Sequence, residues 1–400
     1  MTNLGRRAGP QNGPLTDQRI TDVVLKSGTP AYIYSLRALR TRAKRVEKSF
    51  TAFRIMYAVK ANPSPVIVRE FVRRGTGLDI GTMAELKLAI AAGAKIGSMV
   101  FGGPGKDDAS VEYCMRRGIL LDLDSLGELE RAERIARKLG RQVQVSARLN
   151  VPWAPKKAGE IMSGGPSQFG IDAGTFVREW RGLNPRRVAL VGMHAHVASQ
   201  VLESRALVAH VTHFGKLCVE LSRRLGVMLR SINFGGGIGI PYQLGEQELM
   251  PEDLGSSLSI AARKVKEDLN QDVELQLELG RYLVGPTGYY ICRIRDIKRS
   301  RGRWFVIVDS GISGFSRPAM PWAQRHPCWV VGRRKSRDRR RFKIVGSSCL
   351  PTDVLDPGVH LAMGVRVGDL LAFGSAGAYG RSMSMLEWAN LKRPVEVFTT

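Results

Sequence analysis

The chain has 400 residues, 44% of them apolar and 7% aromatic, which is ordinary for a globular protein and enough for two domains with full cores. No run approaches the roughly 18 apolar residues that a membrane span requires. Five cysteines, odd in number, widely spaced and without a CxxC pair, argue against a disulfide framework or a zinc site. The N-terminal stretch with Arg6, Arg7, Pro10 and Pro14 has no apolar core for a secretory signal, so the expected location is the cytoplasm. The formal charge is +25, and its densest patch is Gly332 to Lys343, where GRRKSRDRRRFK carries eight basic residues and one acid. A solvated arginine-rich loop, nucleic acid and an acidic protein partner are the alternatives for it, and its single aromatic residue, Phe342, makes no interleaved pattern that would suggest stacked bases. Arg299, Arg301 and Arg303 are candidates to extend that surface.

In chain order, residues 1–35 read as a segment that joins a later β domain through a strand near Ala31 to Tyr34. Residues 36–285 then alternate short apolar, β-branched segments with amphipathic stretches: Arg54 to Lys60, Gly77 to Ile80, Ser98 to Gly102, Ile119 to Asp122, Gln142 to Asn150, Ala189 to Val197, Arg230 to Phe234 and Glu274 to Glu278. Helices such as Met83 to Ala92 and Ser125 to Leu139 lie between them. Eight β/α units make a TIM-like (β/α)8 barrel, a fold whose reactive groups sit where strands end and whose phosphate sites commonly follow strands seven and eight. After Gly285 and Pro286, residues 286–400 turn β-rich, with strands at Gly288 to Ile297, Trp304 to Asp309, Phe342 to Val345, Asp369 to Phe373 and Val395 to Phe398. That pattern reads as a C-terminal all-β sandwich or Greek-key domain.

The chemistry-bearing residues fall at those strand ends. Lys60 closes the first strand, where desolvation disfavours an ammonium and leaves a nucleophile able to condense with a carbonyl. Asp79 is near the end of the second, His194 and His196 end the sixth, Gly235, Gly236 and Gly237 follow the seventh, and Glu278 ends the eighth. Singly, each has a plainer reading: a surface lysine, a packed histidine, a flexible glycine turn. Together they match pyridoxal phosphate. Its aldehyde suits Lys60, its phosphate the backbone N–H groups of Gly236 and Gly237 with the Ser199 hydroxyl, and its flat ring His196, while its pyridine nitrogen seeks a carboxylate such as Glu278.

The motifs YAVKAN, LDIGTMAEL, HAHVAS, NFGGGIG, ELGR, SRPA, CLPTD and GAYGRSMS, in this order, resemble the diaminopimelate/ornithine/arginine decarboxylase family of pyridoxal-phosphate enzymes. The likeness runs from about Ala31 to Val397. It implies an alanine-racemase-like barrel with a C-terminal β domain, and a head-to-tail homodimer. It makes Lys60 the lysine that holds the cofactor's aldehyde, His196 the residue stacked on its ring, and Glu278 the partner of the ring nitrogen. Ser199, Gly236, Gly237, Leu279, Gly280 and Arg281 resemble cofactor contacts, and Tyr379 the tyrosine that reaches both phosphate and substrate. Cys349 resembles the acid that protonates Cα after carbon dioxide leaves, supplied across the dimer interface, a role a thiol suits. Asp79, Glu85 and Asp353 are expected in support, with an ordinary helix-cap or surface acid the alternative for Asp79 and Glu85. His210 and His213, on one helix, read as surface residues without a third metal ligand.

The chain departs from these relatives at the distal end of the substrate. Members acting on diamines or diaminopimelate place an acid directly after the catalytic cysteine, and this chain has Leu350. Arg281 and Arg317, which match arginines gripping a distal carboxylate, remain, but a tyrosine of the pattern is Pro321 and ELGR stands for EPGR. The expected substrate is therefore an amino acid or conjugate with a distal carboxylate or amide, in a biosynthetic pathway such as those of secondary metabolism, with presentation by an acidic carrier protein as one option. Diaminopimelate decarboxylase proper, an amino-acid racemase and a catalytically silent cofactor-binding homologue are the alternatives. Glu278 weighs against the racemase, since racemases of this fold face the ring nitrogen with arginine.

Overall fold

The computed structural model describes residues 14–243, 245–320, 325–333 and 338–400. The chain packs as two compact units, Met1–Ala43 with Ile240–Glu248 and Arg281–Thr400 in one, and Lys44–Gly239 with Leu249–Gly280 in the other. The divisions run at 43/44 and 280/281 where the sequence suggested 35/36 and 285/286, and Ile240–Glu248 groups with the β-rich unit.

The second unit is a closed barrel of eight parallel strands: Arg54–Ala58, Gly77–Ile80, Met99–Phe101, Leu120–Leu123, Val143–Asn150, Val188–His194, Ser231–Asn233 and Glu274–Leu279. The eighth pairs with the first, aligning Glu278 with Met56, and the fourth with the fifth, so no edge is left open. The strands are buried almost throughout, because helices cover them outside and their own side chains fill the centre, which explains their near-continuous apolar runs. Ser or Thr with Glu three residues on starts two helices. Thr82 Oγ1 accepts from Glu85 N–H at 3.2 Å and Ser125 Oγ from Glu128 N–H at 3.1 Å, while each glutamate turns back to accept a backbone N–H, from Gly81 and Asp124 respectively, both at 2.8 Å.

The other unit is mostly β. Ala31–Ser35 pairs antiparallel with Gly288–Ser300 and parallel with Val395–Thr399. The helix Asp17–Ser27, capped by Thr16, packs Ile20 and Val24 against Ile33, Tyr289, Ile291 and Trp329. Two strands here escaped the sequence reading, Cys328–Val330 and Val354–Ala362. The latter carries Pro357 and Gly358, residues that signal a turn, yet it pairs along Arg339–Val345 through a register shift that accommodates them. Arg303–Val308 pairs with Gly288–Ser300 on one side and Arg339–Val345 on the other. Lys298, Arg303, Arg341 and Lys343 are thereby gathered onto one sheet, and residues 334–337 of the basic segment lie outside the described residues, as does Pro321. No helix among the described residues is long and apolar enough to cross a membrane.

Candidate active site

Within the barrel, the strand ends carry an amine, two carboxylates and two imidazoles, those of Lys60, Asp79, Glu278, His194 and His196. The first strand stops at Ala58, and Lys60 stands in the 3-10 turn Val59–Ala61 just beyond it, so its amine projects past the sheet with the side chain half exposed. Asp79, one residue before the end of the neighbouring strand and nearly buried, forms an ion pair with the Lys60 Nζ. Glu85 does not reach this pair by a direct hydrogen bond: its carboxylate caps the following helix through Gly81, and burial raises its pKa.

Glu278 is buried, and its Oε1 accepts a 2.9 Å hydrogen bond from Asn233 Nδ2. Burial pushes its pKa up, Asp79 adds to the rise, and His194, Lys60 and Arg148 oppose it. Lys60 with Asp79, and His194 with Glu278, form two ion pairs at or just beyond the ends of the first, second, sixth and eighth strands, which puts all four at one mouth of the barrel. His194 donates from Nδ1 to Asp122 at 2.5 Å and turns Nε2 toward Glu278 at 3.5 Å. His196 is neutral: its Nδ1 accepts from Gly236 N–H at 3.0 Å, which leaves the ring proton on Nε2, and burial holds its pKa well below the ordinary value.

The glycine triplet is tied to these side chains. Gly235 N–H donates to Asn233 Oδ1 at 2.8 Å, and Glu278 N–H donates to Gly235 O at 2.8 Å. Gly235 and Gly237 have φ of 64° and 99°, and a Cβ on Gly237 would meet Ala198 O at 2.2 Å, so only glycine permits this turn. Ser199 lies alongside, half buried in the short antiparallel pair with Glu160. Leu279 closes the eighth strand in the core, and Gly280 packs against the first, where a Cβ would meet that of Ala61 at 2.7 Å.

The β-rich unit holds the remaining candidates. Arg281 and Arg317 are both buried and converge on Tyr242: Arg281 Nη1 donates to its hydroxyl at 3.0 Å, and the Arg317 guanidinium lies 5.2 Å from its ring centre. Arg281 also lies 4.9 Å from the ring of Tyr379, which takes a left-handed φ of 56°. His326 packs edge-on to Tyr242 and donates from Nδ1 to Gly374 O at 2.9 Å, with its pKa lowered to about 3 by burial and by Arg317. Cys349 is the one exposed cysteine of the five. Its loop is braced by Asp353, which accepts from Ile312 N–H at 2.8 Å and Ser348 N–H at 3.1 Å and donates its own N–H to Leu350 O at 3.0 Å.

One expectation is corrected: His210 is not at the surface. It is buried, accepts from Trp153 Nε1–H at 3.3 Å and donates to Phe234 O at 3.0 Å, because its helix turns that face onto the barrel, and only His213 is exposed. Sequence reasoning missed Asp122, Asn233, Arg148 and Tyr242. Asn233 sits inside the NFGGGIG motif and Asp122 at a strand end, both readable signals, whereas nothing local marks Tyr242.

The donor set fits pyridoxal phosphate: a primary amine for its aldehyde, a glycine cradle no Cβ can enter, and a buried carboxylate. The family model of the pyridoxal-dependent decarboxylases, pyridoxal binding domain, matches residues 36–285. Diaminopimelate decarboxylase of Archaeoglobus fulgidus is 34% identical over 369 residues, 92% of this chain and 87% of the relative. L-glutamyl-[BtrI acyl-carrier protein] decarboxylase of Niallia circulans is 26% identical, over 96% and 91%. The structure of diaminopimelate decarboxylase from M. jannaschii in complex with L-lysine superposes with a TM-score of 0.87 at 28% identity, covering 95% of this chain and 89% of that one. The chain belongs to the pyridoxal-dependent decarboxylase family. It is an amino-acid decarboxylase whose cofactor is pyridoxal phosphate.

Proposed function

We propose that this enzyme decarboxylates, at Cα, an amino acid whose distal end bears a carboxylate, an amide or a conjugate rather than an amine. When bound, the cofactor supplies an electron sink for the charge left at Cα as carbon dioxide departs. Lys60 holds its aldehyde, the N–H groups of the glycine cradle with Ser199 hold its phosphate, His196 covers its ring and Glu278 faces its ring nitrogen. Cys349 returns a proton to Cα from the other subunit of a head-to-tail homodimer, and Tyr379 and Arg281 orient phosphate and substrate.

The observation that carries the distal assignment is Leu350, half buried beside Cys349 where related diamine enzymes carry an acid. A distal ammonium left there without a counter-ion costs on the order of several kcal/mol, roughly a thousandfold in affinity. Arg281 and Arg317, two buried cations on one tyrosine, favour an anionic or neutral polar group instead. Carrier presentation draws support from the basic sheet, whose Lys298, Arg303, Arg341 and Lys343 suit an acidic partner, and from the relative named as acting on a carrier-bound glutamyl group.

A second reading, diaminopimelate decarboxylase proper, is favoured by the same two arginines and by the names of most relatives. Measuring carbon dioxide released from free diaminopimelate, lysine, ornithine, glutamate, glutamine and a carrier-bound glutamyl thioester separates the two. We expect turnover of a substrate lacking the distal amine. Efficient turnover of free diaminopimelate refutes the first reading.

A further inference from the structure

The geometry points to Asp122 and His194 as a buried positioning pair that keeps a proton on His194 and so keeps Glu278 a carboxylate. This rests on reading Glu278 as the group that faces the cofactor's ring nitrogen, and it assigns to two further side chains the charge state on which that role depends.

The three groups lie in line. Asp122 is one residue from the end of the fourth strand, His194 ends the sixth and Glu278 is one residue from the end of the eighth, with side-chain exposures of 3%, 7% and 6%. Asp122 Oδ2 accepts from His194 Nδ1 at 2.5 Å, and His194 Nε2 faces Glu278 Oε1 at 3.5 Å. A histidine whose Nδ1–H is committed to a carboxylate has one remaining variable, the proton on Nε2. With it, the ring is a cation between two anions. Without it, a lone pair faces Glu278 Oε1, an arrangement that holds only if Glu278 takes the proton itself. At 3.5 Å the two interact as a charge pair rather than through a hydrogen bond, so one of them carries the proton, and Asp122 decides which, because an anion on Nδ1 favours the imidazolium.

The surrounding charges show how much Glu278 depends on this. Burial and Asp79, on the second strand, both oppose an anion at Glu278; His194, Lys60 after the first strand and Arg148 on the fifth support it. Asn233, on the seventh strand, donates to the same Oε1 but carries no charge. Burial and Arg148 oppose a charge on His194, yet Asp122 and Glu278 outweigh them and its pKa is raised, while Asp122 is lowered despite its burial, through His194 first and then Arg148. His196 is close enough to feel His194 but is itself neutral. Arg148 is shared with Asp124, at 3.3 Å, so it cannot serve Glu278 alone.

The test begins with the wild-type enzyme free of cofactor. Nitrogen-15 NMR of labelled histidines, with His194 assigned through H194Q, should show His194 doubly protonated at pH 7. In D122N the same ring should become neutral at pH 7. With cofactor loaded, the pH dependence of its absorbance should shift in D122N and in H194Q, and kcat should fall about ten- to hundredfold with KM little changed. D122E should restore part of both. A neutral His194 in the wild-type enzyme overturns the inference, as does D122N that keeps the imidazolium, the absorbance profile and kcat. E278Q separates the parent reading: if E278Q retains full activity, the role of Glu278 fails, whereas an inactive E278Q beside an unaltered D122N removes only the Asp122–His194 pair.

Discussion

Gly236 lies so near Glu278 that a Cβ added to it would meet the Glu278 carbonyl oxygen at 2.0 Å. The eighth strand and the loop after the seventh are therefore pressed together at the position where the cradle forms. Because the obstacle is backbone, no side chain can swing away.

Gly236→Ala should therefore destabilise the cofactor-free protein by about 1–3 kcal/mol or more, the usual range for overpacking. Gly174→Ala, at a site with nothing within 4 Å, serves as the control and should leave stability unchanged. Equal melting temperatures for G236A and wild type would contradict the close approach.

Removal of Lys60 tests covalent attachment. In wild type, borohydride followed by peptide mass analysis should fix the cofactor on Lys60, and Lys60→Ala should lose both the label and turnover, the latter on the order of a thousandfold or more. Asp79→Asn removes the charge that pairs with the amine and should shift the pH at which it attaches the cofactor. A label on another lysine would displace Lys60 from its role.

Leu350→Glu places an acid where the diamine enzymes of the family have one. We expect kcat/KM for a substrate with a distal ammonium to rise at least about tenfold, a fraction of the penalty for leaving such a charge unpaired. No gain for lysine, ornithine or diaminopimelate would mean that this position does not face the distal group.

Stability should fall in acid for a specific reason. Burial lowers the pKa of His210 to about 4 and that of His326 to about 3, against an ordinary value of 6.5. The unfolded chain thus takes up protons first as pH drops below about 6.5, and each histidine withdraws roughly 1.4 kcal/mol per pH unit until its own folded value is reached. His194 has the opposite sign: its raised pKa contributes stability that is complete below its unfolded value and is lost as pH rises through the folded one. Urea midpoints at pH 7 and pH 5 should differ less for His210→Gln than for wild type, and identical slopes would exclude a titrating His210.

Much of the fold and of the site is local in the chain and therefore legible there. Strand period and the glycine triplet are short-range patterns, so the eight barrel strands and the carboxylate Glu278 were visible in sequence, as were the motifs that carry the family likeness; Lys60 was legible as a strand-end lysine, although its strand stops two residues earlier, at Ala58. Leu350 was visible too, as a departure. Contacts across the barrel were not. Asp122, His194 and Glu278 are separated by 72 and 84 residues and meet only because parallel strands of a closed barrel converge at one end. His210 was misjudged because periodicity reveals that a helix has two faces without saying what lies against the buried one. Tyr242 and Arg281 are 39 residues apart, and their hydrogen bond follows from chain packing in the β-rich unit. Sequence alone determined which functional groups exist and at which strand ends they stand; tertiary structure decided which lie close enough to shift one another's charge, since electrostatic coupling depends on distance and burial, neither of which is a property of neighbouring residues in the chain.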